Sequence, residues 1–429
     1  RAHAAVRGTA VALPLGAVDW NPDSDGSVGL NVCRTIQHTA ETIAWSPTGG
    51  GFHQPARFGV LTGLTPSAKA AAAAGTSTRL APGGALLRNH EPFFPLGLYT
   101  VPVAAFADVR KVGFNTVIAY EGYYNPYGQP FDQEKLRAYL DRARDEGLQV
   151  MVSLCRNYYA EWGKLGAEPN LANIRGMIEL ARPHPATLGY YIADEPNGEA
   201  FRAAVEKVHA AVKTQDPSRV TALVLCSMDE LSRFRQASDI LGVDPYPVPT
   251  QPLTLVADWM DAAVAVAGRG GKPVWAVLQA FGGQEGWFRE PTPAEARCMA
   301  YLALTHGAKG LFWFTYKPVY GPLWDELGKL NREVAALAPL LLADGPWGAG
   351  RILGTPAVHY WSREFADRFL ILAVNESSQP CSAVFAVSDK AETVEEIFEK
   401  RTLPLQQGVF IDAFSPLGTH AYTVRKRLP

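Results

Sequence analysis

Two adjacent acidic residues, Asp194 and Glu195, follow an apolar run at 190–193 and precede Pro196. A buried strand that ends in two carboxylates is costly unless these groups are paired or used. Because side chains alternate along a strand, we expect only one of the two to enter a site. We favour Glu195 as the functional group. Asp194 is interpreted either as the cap of the following helix or as a substrate contact.

Other acidic and aromatic residues follow apolar runs in the same way. Asp244 precedes a Pro-Tyr-Pro segment that contains Tyr246, and its alternative role is an ordinary turn before the loop. Glu121 and Tyr124 follow an earlier run. Arg156 follows the next one, where it either binds substrate hydroxyls or forms a surface ion pair.

The segments that carry these residues alternate between apolar strand-like runs and amphipathic helical stretches, which is typical of parallel β/α units. No glycine-rich phosphate-binding motif supports a doubly wound open sheet. Eight units in roughly 250 residues predict a (β/α)8 TIM barrel. The predicted strands are 94–99, 116–120, 149–154, 189–193, 220–225, 240–243, 274–278 and 310–314.

The rest of the 429 residues divides into flanking segments. Residues 1–65 contain short strand-like runs and predict part of a β-sandwich, and residues 66–92 are rich in small residues and read as a linker. The barrel spans 93–344. Residues 345–429 alternate strands with turns and predict a C-terminal β-sandwich.

The segment 190–197, YYIADEPN, resembles the end of strand four in clan A glycoside hydrolases. In that clan an Asn-Glu pair, often followed by Pro, ends the fourth strand of a (β/α)8 barrel. The resemblance covers about residues 93–340 and implies that Glu195 is the general acid/base. Asp194 stands where the clan has Asn, a residue that contacts the sugar 2-hydroxyl. Trp313 matches the strand-eight Trp on which the sugar stacks, and Tyr316 lies close to it.

Strand seven departs from the clan, which carries its nucleophile there. Gln279 occupies the expected place, and an amide cannot act as a carboxylate nucleophile. Another acid therefore takes this role, the amide orients a water or an acetamido group, or the barrel binds sugars without cleaving them. Asp244 is our first choice for the second carboxylate and Glu121 the next; Glu285 and Glu290 are further candidates.

The N-terminal segment resembles part of a family 9-like carbohydrate-binding module. The similarity lies in the runs LNVCRT at 30–35, WSP at 45–47 and FHQPARFG at 52–59. It covers about residues 8–62. It implies sugar binding by a β-sandwich.

The composition narrows the classes of partner. A formal net charge of −2 gives no indication of a nucleic-acid partner, and no apolar run reaches the roughly 18–20 residues of a membrane span. Nine His and five Cys residues show no metal-ligand spacing, so no cofactor is expected. We expect the cysteines to be buried thiols. A polysaccharide or oligosaccharide substrate implies a secreted, periplasmic or cell-surface location.

Three hypotheses follow. The first is a glycoside hydrolase with Glu195 as acid/base and Asp244 or Glu121 as nucleophile or base. In it Trp313, Tyr124 and Tyr246 shape the sugar site. The second is a non-catalytic carbohydrate-binding barrel, motivated by Gln279. The third, weaker, is a lyase or transglycosylase on the same barrel.

Overall fold

The computed structural model describes four short N-terminal strands and most of residues 76–427. The described N-terminal ranges are 2–6, 9–14, 43–47 and 59–61. Beyond residue 75 the structure leaves out 121, 127–128, 162–163, 167, 269–270, 284–285, 344–350, 354–356 and 428–429. The chain separates into two compact units, Arg1–Ala74 and Gly75–Pro429.

The N-terminal unit contains one antiparallel sheet among its described residues. Its strands are Ala2–Val6, Thr9–Pro14, Ile43–Pro47 and Gly59–Leu61, and the second, first, third and fourth strands lie side by side in that order. The strand predicted around 29–34 lies outside the described residues.

Eight parallel strands close into a barrel in the second unit, which confirms the predicted fold. Each strand pairs with the next, and strand eight pairs with strand one. The barrel strands are numbered one to eight hereafter: Leu96–Tyr99, Thr116–Ile118, Gln149–Ser153, Thr187–Asp194, Val220–Leu225, Ile240–Val243, Val274–Gln279 and Leu311–Phe314.

Helices cover the outside of the barrel with apolar faces. Helix Pro293–Thr305 begins with a capping box in which the Thr292 side chain accepts from the Glu295 N–H, and the Glu295 side chain accepts from the Thr292 N–H. The α-helices are Phe106–Lys111, Gln133–Asp145, Leu171–Ala181, Gly198–Gln215, Leu231–Phe234, Leu255–Ala267, Pro293–Thr305 and Gly321–Leu342.

A three-stranded sheet closes the N-terminal end of the barrel. Its strands are Thr78–Leu80, Leu86–Arg88 and Glu91–Pro92. Leu86 is buried in the cluster that fills the barrel, and Thr78 Oγ1 donates to Leu188 O at 2.8 Å. The prediction of a linker over 66–92 is therefore wrong for residues 76–92, because their apolar side chains plug the barrel.

Aromatic side chains fill the barrel interior. The rings of Trp275 and Phe312 stack with centroids 4.9 Å apart. Phe312 fits because strand one carries Gly97 opposite it: a Cβ there would lie 2.0 Å from the ring. The interior is thus a packed core, and only its C-terminal mouth is available for a site.

Two antiparallel sheets follow the barrel and enclose a separate apolar core, as the sequence predicts. His306, at the end of helix Pro293–Thr305, contacts His359 of this sandwich, with Nε2 and Nδ1 2.8 Å apart. The three-stranded sheet contains Arg351–Leu353, Cys381–Ala386 and Val409–Phe414, and the five-stranded sheet contains Val358–Glu364, Arg368–Asn375, Ala391–Glu396, Arg401–Leu403 and Thr419–Lys426.

Across the described helices, none has both the length and the apolar character needed to cross a bilayer.

The plug sheet makes a testable contribution to stability. Leu86→Ala should destabilise the protein by about 2–5 kcal/mol, because it leaves a cavity beneath the barrel. Leu87, which is half-buried at the next position, provides the control. Thermal unfolding of Leu86→Ala and Leu87→Ala measures the difference. An equal effect of the two substitutions would contradict the role of Leu86 in closing the barrel.

Candidate active site

Asp194 faces the barrel interior because strand four contains a bulge. Its pairing with strand five runs in register through Tyr191, skips Ile192 and resumes at Ala193. Ile192 and Ala193 consequently both pack in the apolar cluster that contains the covering helices. Strict alternation would have turned Asp194 outwards, but the bulge restores it to the interior.

Two tyrosine hydroxyl groups hold the Asp194 carboxylate. Tyr120 donates to Oδ1 at 2.8 Å, and Tyr191 donates a short hydrogen bond to the same atom. Burial raises the pKa of Asp194 to about 6, the charge of Glu195 adds to the rise, and the two tyrosine hydrogen bonds oppose it. Asp194 is therefore a partly protonated group near neutral pH.

Glu195 lies at the rim directly above Asp194. Its backbone has a φ of 46°, in the left-handed region that residues with a side chain seldom adopt, and its N–H donates to Val224 O at 2.9 Å. The side chain is exposed. The expectation that only one acid of the pair enters the site is wrong, because the bulge and the left-handed residue bring both to the mouth.

Asp244 completes a group of three acids. It follows strand six, is 6% exposed and lies close enough to Glu195 for the two carboxyl groups to interact. Burial first, then the charge of Glu195 and hydrogen bonding between the two carboxyl groups, hold the pKa of Asp244 well above its usual range. Two carboxyl groups can hydrogen-bond to each other only when one carries a proton, and these causes favour the buried Asp244 as its holder. Asp244 Oδ1 has no hydrogen-bond partner among the described residues.

An aromatic wall surrounds the acids. Tyr246 lies two residues after Asp244, and its ring contacts those of Phe281, Trp287 and Phe314 at centroid distances of 5.1, 5.8 and 6.2 Å. Burial and the charge of Asp244 raise the pKa of Tyr246 well above its usual range, so its hydroxyl stays protonated. The sequence-predicted Tyr246 thus lies beside the acids.

Trp313 does not belong to this wall. It is 1% exposed and packs in the cluster that also holds helix side chains, whereas Phe312 and Phe314, on either side of it, face the interior. The expectation that Trp313 offers a sugar platform is therefore wrong in this structure, because strand eight turns the indole outwards. Tyr316 packs edge-on against Trp324 at 5.9 Å, away from the interior cluster.

The Gln279 side chain is bound to backbone groups of two neighbouring loops. It is fully buried, and its Nε2 donates to the carbonyls of Val248 at 2.8 Å and Phe281 at 3.2 Å. Its Oε1 accepts from the Val248 N–H at 3.0 Å. One amide proton and the amide oxygen thus fasten the loop after strand six at Val248, and the other proton holds the loop after strand seven at Phe281. The expectation that Gln279 contacts substrate is not met, because the loop occupies its polar atoms.

Tyr124 and Arg156 line a small cavity beside the barrel mouth together. The Tyr124 hydroxyl donates to Ser153 O at 2.8 Å, and the Arg156 guanidinium lies 5.3 Å from the centroid of the Tyr124 ring. Glu121, the other proposed second carboxylate, lies outside the described residues.

Cys226, which follows strand five, is a site residue that the sequence reasoning missed. The expectation of buried thiols fails for it, since it is exposed. Partial burial and the charges of Glu195 and Asp244 raise its pKa to about 12. It is thus a neutral thiol in contact with the acids. Its place directly after a strand was the available signal.

Among the described residues, no three or more His, Cys, Asp or Glu side chains are grouped so that they could hold a metal ion.

The described unit is thus a (β/α)8 barrel protein with acids and aromatic rings at its C-terminal mouth. No family profile matches the sequence, and no curated protein matches it. Solved structures do match its fold. One described as a glycoside hydrolase has a TM-score of 0.58 and 12% identity, over 82% of this chain and 97% of the other.

Two further structures are similar. The α-amylase of Geobacillus thermoleovorans, complexed with acarbose, has a TM-score of 0.54 and 10% identity over 76% of this chain and 92% of its own. A GH27 β-L-arabinopyranosidase of Geobacillus stearothermophilus, in complex with arabinose, has a TM-score of 0.53 and 12% identity over 78% and 97%. At these identities the likeness establishes the fold.

The raised pKa of Asp194 predicts that the free energy of unfolding depends on pH. A carboxyl with a raised native pKa stabilises the fold below its unfolded pKa, and that contribution is lost as the pH rises through about 6. Asp194→Asn, which still accepts from both tyrosines, should therefore be more stable than the wild type at pH 8, by at most about 3 kcal/mol, and similar at pH 4. Denaturant unfolding at both pH values measures this. Asp229→Asn, at an exposed residue, is the control, and a difference that does not change with pH would contradict the explanation.

The loop-fastening role of Gln279 can be tested by two substitutions. Gln279→Ala leaves buried backbone groups of Val248 unpaired and should cost about 2–4 kcal/mol. Gln279→Glu cannot donate to either carbonyl and should also lower the melting temperature. Gln236→Ala, on the exposed surface, is the matched control. Unchanged melting of Gln279→Glu would show that the position tolerates a carboxylate.

Proposed function

We propose that the protein is a glycoside hydrolase whose catalytic pair is Asp244 and Glu195. The observation that carries this proposal is the placement of one buried and one exposed carboxyl group close together at the ends of strands four and six. Glycoside hydrolysis uses two carboxyl groups in different protonation states. The structural neighbours named above support the proposal as bearers of the same fold.

The surroundings of the two acids support a division of roles. Asp244 is buried and favours its proton, so we assign it as the general acid for the glycosidic oxygen. Glu195, exposed at the rim, then acts as base or nucleophile. This reverses the order of roles that the sequence resemblance implies.

Substrate entry would separate the carboxyl groups of Glu195 and Asp244. Retaining enzymes hold their two carboxyl groups about 5–5.5 Å apart, and inverting enzymes hold them about 6.5–9.5 Å apart. Asp244 is fixed by burial, whereas the exposed Glu195 side chain has room to change rotamer. The glycosidic oxygen would take its place beside Asp244 Oδ1.

Asp194 is assigned a supporting role. Its Oδ1 already accepts two tyrosine hydroxyl groups, which fix the carboxyl below the sugar position. Its negative charge would stabilise the positive charge that develops on the sugar ring in the transition state. Tyr246 and Phe314 would bound the ring with their faces.

The hypothesis of a non-catalytic carbohydrate-binding barrel loses the observation that supported it. It rested on Gln279 at the strand-seven position, and the contacts of this residue with Val248 give the amide a structural reason to be there. We also propose a secreted, periplasmic or cell-surface location, because the proposed substrate is a polysaccharide or oligosaccharide. The sequence resemblance supports a carbohydrate-binding role for the N-terminal unit.

Substrates that differ in their leaving group can distinguish the roles of Asp244 and Glu195. Asp244→Asn should lower kcat/KM about 10²–10⁴-fold on oligosaccharides, which need a proton on the departing oxygen. It should retain most of the wild-type kcat/KM on dinitrophenyl glycosides or glycosyl fluorides, whose leaving groups need no proton. Glu195→Gln should lose activity on both kinds of substrate. A panel of glycosides with common and activated leaving groups provides the measurement.

Two exposed acids near the site supply matched controls. Glu199→Gln and Asp229→Asn also replace a carboxylate with the corresponding amide, and both variants should keep the wild-type kcat/KM. Preserved oligosaccharide hydrolysis in both Asp244→Asn and Glu195→Gln would refute the catalytic pair. Loss limited to poor leaving groups in Glu195→Gln would restore Glu195 as the acid.

A further inference from the structure

Three exposed apolar side chains lie on the loops that follow barrel strands seven and eight, and together they form what we call the apolar rim. Phe288, on the first loop, is 79% exposed, and Val319 and Tyr320, on the second loop, are 94% and 49% exposed. Single apolar residues at a surface are common, whereas a group of them beside a cleft is typical of a binding surface. Loops that follow barrel strands meet at the C-terminal mouth, so the apolar rim lies on the same face as the acids.

Glu290 joins the two loops that carry the apolar rim. Its Oε1 accepts from the Val319 N–H at 2.6 Å, and its Oε2 accepts from the Tyr320 N–H at 2.8 Å. Glu290 lies two residues after Phe288. The two loops are therefore neighbours, and their exposed side chains belong to one surface.

The loop after strand seven is held in place by its own contacts. The Gly283 N–H donates to Trp287 O at 2.5 Å, and a Cβ at Gly282 would overlap the backbone of Arg289. Arg289 in turn donates two hydrogen bonds of 2.7 Å to the carboxylate of Glu295. These contacts fix the loop before any ligand binds, which lowers the entropic cost of binding.

Aromatic rings connect the apolar rim to the acids. Trp287, the residue before Phe288, is half-buried, and its Nε1 donates to Tyr246 O at 3.0 Å. The Trp287 and Tyr246 rings lie 5.8 Å apart between centroids, and Tyr246 follows Asp244 by two residues. A sugar chain that reaches Asp244 can thus continue outwards over aromatic surface as far as Phe288.

We propose that Phe288 and Tyr320 form a second sugar-binding subsite, which holds a unit of the substrate chain beyond the bond that is cleaved. The inference rests on the proposed glycoside hydrolase function and deepens it by naming the substrate class, which is chains of several sugar units and not disaccharides. The two aromatic rings stack against the apolar C–H faces of a sugar ring. A protein partner on the same surface would obstruct the entrance to the acids, which favours a carbohydrate as the occupant.

The dependence of kcat/KM on chain length tests this subsite. Cello-, xylo-, manno- and malto-oligosaccharides are assayed from the disaccharide to the hexasaccharide. For the accepted backbone, the ratio of kcat/KM for the hexasaccharide to that for the disaccharide should fall about threefold to tenfold in Phe288→Ala and in Tyr320→Ala. Phe288→Trp keeps an aromatic face and should preserve the wild-type ratio. Ile411→Ala and Tyr360→Ala, at exposed positions of the C-terminal sandwich, are the matched controls.

Calorimetric binding to the full chain separates the subsite from the proposed function. If no oligosaccharide is hydrolysed, the proposed function fails, but a hexasaccharide of one backbone should still bind about threefold to tenfold more weakly to Phe288→Ala than to the wild type. Equal ratios and equal affinities in the wild type and both alanine variants would overturn the subsite, and so would a panel in which no glycan binds or reacts. A wild-type dimer that becomes a monomer in Phe288→Ala, measured by sedimentation, would assign the apolar rim to a second copy of the chain and overturn it as well.

Discussion

Burial of Asp244 beside Glu195 places a carboxyl group where it resists ionisation, next to a second one that water can reach. An isolated charge in such a position would be strongly unfavourable, and a proton on Asp244 removes most of that penalty. The barrel provides the burial, through the packed residues below and the aromatic rings around the mouth. The chemistry proposed for the protein depends on this single difference in environment.

Local departures from regular backbone geometry bring the acids together. A regular strand four would turn Asp194 towards the helices, and only the bulge at Ile192 returns it to the interior. The left-handed backbone of Glu195 then lifts the next side chain to the rim. Such a conformation costs free energy, which the paired strands and the surrounding loops must offset. Gln279 performs a comparable task across the mouth by fastening the loop that follows Asp244.

The sequence predicted the strands and helices that follow a regular periodicity. It predicted fewer of the side-chain positions that depend on local irregularities of the backbone. Eight apolar runs separated by helices were sufficient to predict the barrel, and the ends of its strands drew attention to Asp194, Glu195 and Asp244, which the structure brings together at the mouth. The family resemblance misplaced Trp313, since a shift of one residue in a short strand turns a side chain from the barrel interior to the helices. Gln279 was judged by its position alone, and its backbone partners are distant in sequence. Residues 76–92 were read as a linker because their small-residue composition conceals the few apolar side chains that plug the barrel.

The most direct measurement of the central claim is the titration of the Asp244 carboxyl by ¹³C NMR, with Asp244→Asn used to assign its resonance. The account predicts that Asp244 stays protonated well above the usual range of an aspartic acid, and that removal of the neighbouring charge in Glu195→Gln lowers its midpoint. A single titration step in the usual aspartate range, unaffected by Glu195→Gln, would contradict a protonated Asp244 and with it the proposed catalytic pair.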